Sequence, residues 1–273
     1  TGAAIASPLV AALMQAYGWQ AAILLTSVPS LLLVLLWWMV VRDLPSQHPR
    51  VTSSEIAELA GNPAYDAAAP LTARRVLRVL GDPQILGVTL SYLVMNYVFY
   101  LVTFWSFLYL VQERKLSVLE SGWLGALPFV VAGVAAATGG RLADSLRARF
   151  GDRAGPRLLP LVTLPLAAVF LYLTVSIESA YPAIAALCLG FACVELNEGN
   201  YWGVAMRLAP SDSMAATAAL NTGGNLGGVI GTAIVAALSG QGRWDLVFMT
   251  GVVTSVVAAL LWLTIDPGRG ERK

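Results

Sequence analysis

The sequence predicts an all-α polytopic membrane protein with about eight transmembrane helices. Three observations carry this expectation. Of the 273 residues, 57% are hydrophobic and only 12% are charged, and the mean hydropathy is +0.70. A soluble globular domain carries about twice that charged fraction. Several apolar runs reach the roughly 20 residues that a helix needs to cross a bilayer. The cations fall outside those runs and mostly on one side of them. Seventeen Lys and Arg against sixteen Asp and Glu leave a net charge of +1. This composition does not fit a soluble enzyme, a nucleic-acid binder or a disordered chain. Two Cys and one His supply neither a disulfide scaffold nor a structural zinc site. No metal and no cofactor is expected.

The apolar runs lie at 2–17, 21–41, 84–111, 122–140, 158–177, 181–206, 214–238 and 245–265. Membrane strands would be segments of about 10 residues in strict alternation. Leu31 to Val41 is continuously apolar instead, which favours helices. Threaded through these runs, fourteen Lys and Arg fall on one side and three on the other, namely Arg114, Lys115 and Arg243. The rich side reads as cytoplasmic, with the C-terminus and the long loop 42–83 on it. In that loop, Thr52 and Glu55 before Ile56 and Leu59 form a capping-box pattern that starts a short surface helix. Arg74, Arg75 and Arg78 make 72–80 a basic amphipathic piece, suited to anionic headgroups and water. The sequence begins with Thr1, not Met, at the mouth of a short first run, so we read it as part of a longer protein.

Gly139-Gly140-Arg141-Leu142-Ala143-Asp144-Ser145-Leu146-Arg147-Ala148-Arg149 resembles the Gly-x-x-x-Asp-x-x-x-Arg loop signature of the major facilitator superfamily. It stands after the second run beyond the long loop, where that family has it. Gly140, Asp144, Arg147 and Arg149 are its candidate residues, with Asp144 placed to cap or pair across helix ends. Within the superfamily, the anion:cation symporter family is similar in several runs. These are Gly18-Trp19-Gln20 with Gln20 for the usual Arg, Arg42-Asp43-Leu44-Pro45, Tyr97-x-x-Tyr100-x-x-x-x-Trp105, Glu198-Gly199-Asn200-Tyr201-Trp202 and Asn221-Thr222-Gly223-Gly224-Asn225-Leu226-Gly227-Gly228. The resemblance implies a partial major-facilitator fold. Residues 1–41 would be the last two helices of the N-terminal bundle and 42–83 the cytoplasmic central loop. Residues 84–265 would be a complete six-helix C-terminal bundle and 266–273 a cytoplasmic tail. It also implies proton- or sodium-coupled uptake of a small organic anion such as a sugar acid. The family's first four helices, with the Arg that meets the substrate anion, have no counterpart here, so those missing N-terminal helices of the same chain are expected partners.

Only two acids, Glu195 and Glu198, sit well inside a run. Ionisable groups at membrane depth are costly and mark functional sites. Spacing of three places them on one helix face, and spacing of four does the same for Asn221 and Asn225. At 1.5 Å rise per residue, Glu195 falls level with Asn225, and Glu198 with Asn221. Asn96 and Tyr97 are central in the third run. These groups, with Tyr201, are the candidate substrate-binding or coupling residues. Each also has a plainer reading: a protonated glutamate bonded to a neighbouring helix, asparagines as interhelical hydrogen bonds, and aromatics as packing. Gly223, Gly227 and Gly231, beside Gly224 and Gly228, form two small-residue stripes for close helix packing.

The expected function is secondary active transport by a protein of the plasma (inner) membrane, with the bilayer and the transported anion as partners and no nucleic acid. The alternatives are a non-transporting membrane scaffold or an inactive truncated relic. No His lies inside a run, and the one Asp that a run contains, Asp245, is its first residue, so a membrane-embedded enzyme lacks a base or an aspartate pair.

Overall fold

The computed structural model describes residues 2–42, 44–59 and 72–272. Asp43, the Pro- and Ala-rich stretch 60–71 of the long loop, and the terminal Thr1 and Lys273 lie outside the described residues. The helices are α1 Gly2–Val40, α2 Ser53–Leu59, α3 Ala73–Leu80, α4 Pro83–Gln112, α5 Val118–Ser176, α6 Ala180–Glu195, α7 Glu198–Leu208, α8 Ser213–Ser239 and α9 Trp244–Leu261. No strand occurs among the described residues. Among the described residues, six helical stretches are long and apolar enough to cross a membrane, with α6 and α7 forming one of them.

Two of the six are each two segments joined at a glycine. Gly151 in α5 has φ +80°, and Gly18 in α1 has φ +81°. This left-handed conformation costs glycine little and interrupts the helical ladder. The chain folds back at Gly151. A Cβ on Gly155 would overlap the backbone of Arg147, eight residues earlier, which a continuous helix holds about 12 Å away. An Arg147–Asp152 ion pair at 3.2 Å spans the same turn. Divided at these glycines, the stretches become eight apolar segments that overlap the eight predicted ones.

Three features differ from the sequence reading. The helix predicted at 122–140 runs on to Phe150, so the signature residues Gly140, Asp144, Arg147 and Arg149 stand on a helix rather than in a loop. The charge that crosses the turn is Asp152, while Asp144 is exposed. The helix predicted at 181–206 breaks between Glu195 and Glu198.

α4 lies at the centre of the core. Val88, Met95, Val98, Leu101 and Val102 are buried on it. One side of α4 packs on the predicted glycine stripes of α8. A Cβ on Gly227 would overlap the Leu93 carbonyl, and one on Gly223 would crowd Thr89. α1 packs on α5, and Ala22 is its one buried side chain among those described. On the side opposite the signature turn, Arg114 closes the bundle. Its Nε donates to Tyr109 Oη at 2.7 Å and one terminal nitrogen to the Glu178 carbonyl at 2.9 Å.

The loop helices follow their caps. Thr52 and Glu55 form the predicted reciprocal box at α2, and bonds from Thr52 hold the Glu55 carboxyl below the usual carboxylate range. A second box, Ser117 with Glu120, starts α5. Thr72 caps α3. The basic face of α3 does more than meet solvent: Arg75 pairs with Asp212 in the 3-10 turn Pro210–Asp212, between α7 and α8.

Candidate functional site

The break between α6 and α7 is built by one asparagine. The Asn197 amide bonds the Val194 carbonyl at 3.1 Å, three residues back instead of four. That shift leaves the Cys193 carbonyl without its helical donor. The Asn197 side chain replaces it, donating to Cys193 at 2.8 Å and to Thr163 Oγ1 at 2.8 Å. Asn200 acts similarly one turn on. Proline at 160 has no N–H for the carbonyl four residues earlier, which is that of Pro156. Asn200 Nδ2 donates to that oxygen at 2.8 Å. Both asparagines are fully enclosed, at 0% and 2% exposure.

The break sets Glu195 and Glu198 on a cavity of about 270 Å³ between α4, the α6–α7 junction and α8. Tyr92, Asn96, Phe99, Tyr100, Trp202, Asn221, Gly224 and Asn225 complete its lining. Glu198 Oε1 accepts from Tyr92 Oη at 2.7 Å and from Trp202 Nε1 at 2.7 Å. Tyr100 Oη donates to Asn225 Oδ1 at 2.9 Å. Asn225 Nδ2 donates in turn to the Asn221 carbonyl at 2.8 Å and to Asn221 Oδ1 at 3.1 Å. Asn96 Nδ2 donates to the Tyr92 carbonyl at 3.0 Å. Glu195 has no hydrogen-bond partner among the described residues. The α8 glycines seat the rings: a Cβ on Gly224 would strike Tyr92, and one on Gly228 would strike Tyr100.

Of the sequence-predicted residues, Glu195, Glu198, Asn96, Asn221 and Asn225 come together on this cavity. Tyr97 and Tyr201 do not line it. Tyr97 is 3% exposed, and its hydroxyl meets Thr250 Oγ1 at 2.7 Å. Tyr201 is fully buried between Ser91 Oγ at 2.6 Å and Trp262 Nε1 at 2.9 Å. Ser91 donates to the Ala258 carbonyl, so Tyr201 donates to Ser91 and accepts from Trp262. Sequence reasoning missed Tyr92. The available signal was the i, i+4 series Tyr92, Asn96, Tyr100, which lies on one helix face.

The sequence model of the Major Facilitator Superfamily matches residues 1–216. The chain is 27% identical over 271 residues to the probable sulfoacetate transporter SauU of Cupriavidus necator, covering 97% of this chain and 62% of that one. It is 23% identical to the probable galactarate/D-glucarate transporter GudP of Bacillus subtilis, covering 94% and 58%. It is 26% identical to the probable anion transporter 4, chloroplastic, of Oryza sativa subsp. japonica, covering 85% and 39%. The chain therefore spans about two fifths to three fifths of the length of these curated relatives. Among solved structures, it is similar in fold to a bacterial homologue of the human lysosomal transporter Spinster, in an inward-facing and unoccupied conformation. The TM-score is 0.64 at 17% identity, covering 93% of this chain and 59% of that one.

Proposed function

The chain belongs to the Major Facilitator Superfamily, and on that premise we propose that it is part of a secondary transporter for a small organic anion such as a sugar acid. Transport is ion-coupled symport, with a proton or sodium as the driving ion, and proceeds by alternating access. Residues 84–265 are the six-helix C-terminal bundle, and 1–41 the last two helices of the N-terminal one. The central loop 42–83 and the tail 266–273 face the cytoplasm of a plasma (inner) membrane.

One observation carries this reading. Five polar side chains from three separate stretches converge on one cavity, and each stretch contributes one of them near its midpoint. Pro83–Gln112, Ala180–Leu208 and Pro210–Ser239 have midpoints within about 2 Å of Asn96, Glu195 and Asn225 along their axes. Transporter sites lie near the midplane between helix bundles. Glu198, held by Tyr92 and Trp202, accepts a ligand hydroxyl, and Asn96, Asn221 and Asn225 orient the polyol.

The test is uptake of labelled D-gluconate or D-glucarate by the full-length protein in proteoliposomes, under an inward proton or sodium gradient. Gradient-dependent accumulation, reduced to background by Glu198→Gln, is the expected result. Absence of flux for every acid under both gradients contradicts it and favours a non-transporting scaffold.

A further inference from the structure

The hydrogen-bond directions in the cavity are unequal. Tyr92 Oη and Trp202 Nε1 are engaged on Glu198 Oε1. Tyr100 Oη is engaged on Asn225, Asn225 Nδ2 on Asn221, and Asn96 Nδ2 on the Tyr92 carbonyl. The asparagine orientations are fixed, because only Nδ2 donates to a carbonyl. Among the lining side chains, Asn221 Nδ2 is the one polar nitrogen with no partner among the described residues. The acceptors are in the opposite state. Both oxygens of Glu195, Oε2 of Glu198 and Oδ1 of Asn96 have no hydrogen-bond partner among the described residues. Asn96 is 92% buried (8% exposed) and lines the cavity, and its partnerless oxygen is not sealed in the core, so it opens on the cavity.

The charges are unequal as well. Among the described residues, Glu195 and Glu198 line the cavity and no Lys, Arg or His does. Every Lys and Arg of the chain stands outside the predicted spans. This wall therefore offers an anionic group one free amide donor beside two acidic side chains. A cationic donor meets two carboxylates, an amide oxygen and the rings of Tyr92, Phe99, Tyr100 and Trp202, whose faces attract cations. An ionised group at membrane depth needs such a counter-charge.

We propose that the transported anion also carries an ammonium group, which this chain binds between Glu195, Glu198 and Asn96. The substrate class is thus an amino acid or an aminated sugar acid, with its carboxylate directed away from this wall. Glu195 supplies the charge-assisted bond, and Glu198, already fixed by two donors, presents its free oxygen to the same group. This rests on the transport reading above and sharpens its substrate class.

The test compares D-gluconate, 2-amino-2-deoxy-D-gluconate and its N-acetyl derivative as substrates and competitors for the full-length protein in proteoliposomes. The three share a carboxylate and differ at one position, so the ratio isolates the ammonium. The aminated acid is expected to be preferred over gluconate by about tenfold or more, the size of one charge-assisted hydrogen bond. N-acetylation, which removes the charge, is expected to abolish that preference. Glu195→Gln is expected to bring the ratio of amine to hydroxyl close to one. Equal or better use of gluconate by the unmodified protein overturns this proposal while leaving transport standing. Failure to transport any of the three overturns both.

Discussion

Gly139 of α5 lies against the carbonyl of Leu196, so closely that a Cβ on the glycine would overlap that oxygen. Leu196 is the residue between Glu195 and Asn197, in the break that aims both glutamates at the cavity. The helix carrying the signature residues is thereby packed directly on the site's turning point. One residue on, Gly140 has nothing within 4 Å of where its Cβ would stand.

That contrast is testable with two alanines. Gly139→Ala gains helix propensity of about 1 kcal/mol but must move backbone, an overpacking cost of about 1–3 kcal/mol. It is expected to lower the thermal unfolding temperature of the purified protein and to reduce transport. Gly140→Ala has only the propensity gain and is expected to leave stability unchanged or raised. Equal effects of the two would contradict the contact.

The tyrosines separate in the same way. Tyr92→Phe removes one of two donors from Glu198, a bond to a charged group worth about 1.5–3 kcal/mol. Its substrate affinity is expected to fall by tenfold or more. Tyr97→Phe loses a bond to Thr250 away from the cavity, and its affinity is expected to change by less than about threefold. Competition binding measures both.

Gly228 tests how the aromatic wall is held. Alanine there would strike the Tyr100 ring, whereas a Cβ on Gly231 would approach Tyr97 at 3.1 Å, a contact a small shift relieves. Gly228→Ala is expected to displace Tyr100 from Asn225 and weaken substrate binding. Gly231→Ala is expected to retain binding within a small factor. Parallel titrations of the two proteins decide between them.

The Arg75–Asp212 pair ties the loop helix α3 to the turn joining α7 and α8, with the side chains 25% and 13% exposed. Because the pair is part solvated, its coupling is expected to be only about 1 kcal/mol in a double-mutant cycle. Exchanging the charges, Arg75→Asp with Asp212→Arg, is expected to recover part of the stability that either change removes. Additive losses would show that the pair contributes nothing.

Much of this site is visible in the sequence, for physical reasons. Charges inside apolar runs are rare, so Glu195 and Glu198 stand out, and the fixed rise of a helix converts residue number into depth. That is why their match with Asn225 and Asn221 is readable, and why the four-residue glycine spacing announces the α8 packing face. Aromatic residues carry no such signal in a chain with eight Trp, nine Tyr and eight Phe. Tyr97 is adjacent to Asn96 in sequence yet lies about 100° around the helix. Tyr201 is three residues from Glu198 but points to Ser91 and Trp262. Asn197 was illegible for another reason. Its role depends on which carbonyl loses its helical donor and on Thr163, thirty-four residues away.

Substrate binding in the cavity between α4, the α6–α7 junction and α8 is tested by cysteine protection. The chain has two native cysteines, Cys188 buried and Cys193 partly buried, which Ala replaces in the background protein. Asn225→Cys then places a thiol on the cavity wall of the full-length protein, with labelling read against the same protein without this substitution. A water-soluble maleimide is expected to label it, and a transported sugar acid at saturating concentration is expected to block labelling. Undiminished labelling in the presence of a transported substrate would place substrate binding elsewhere.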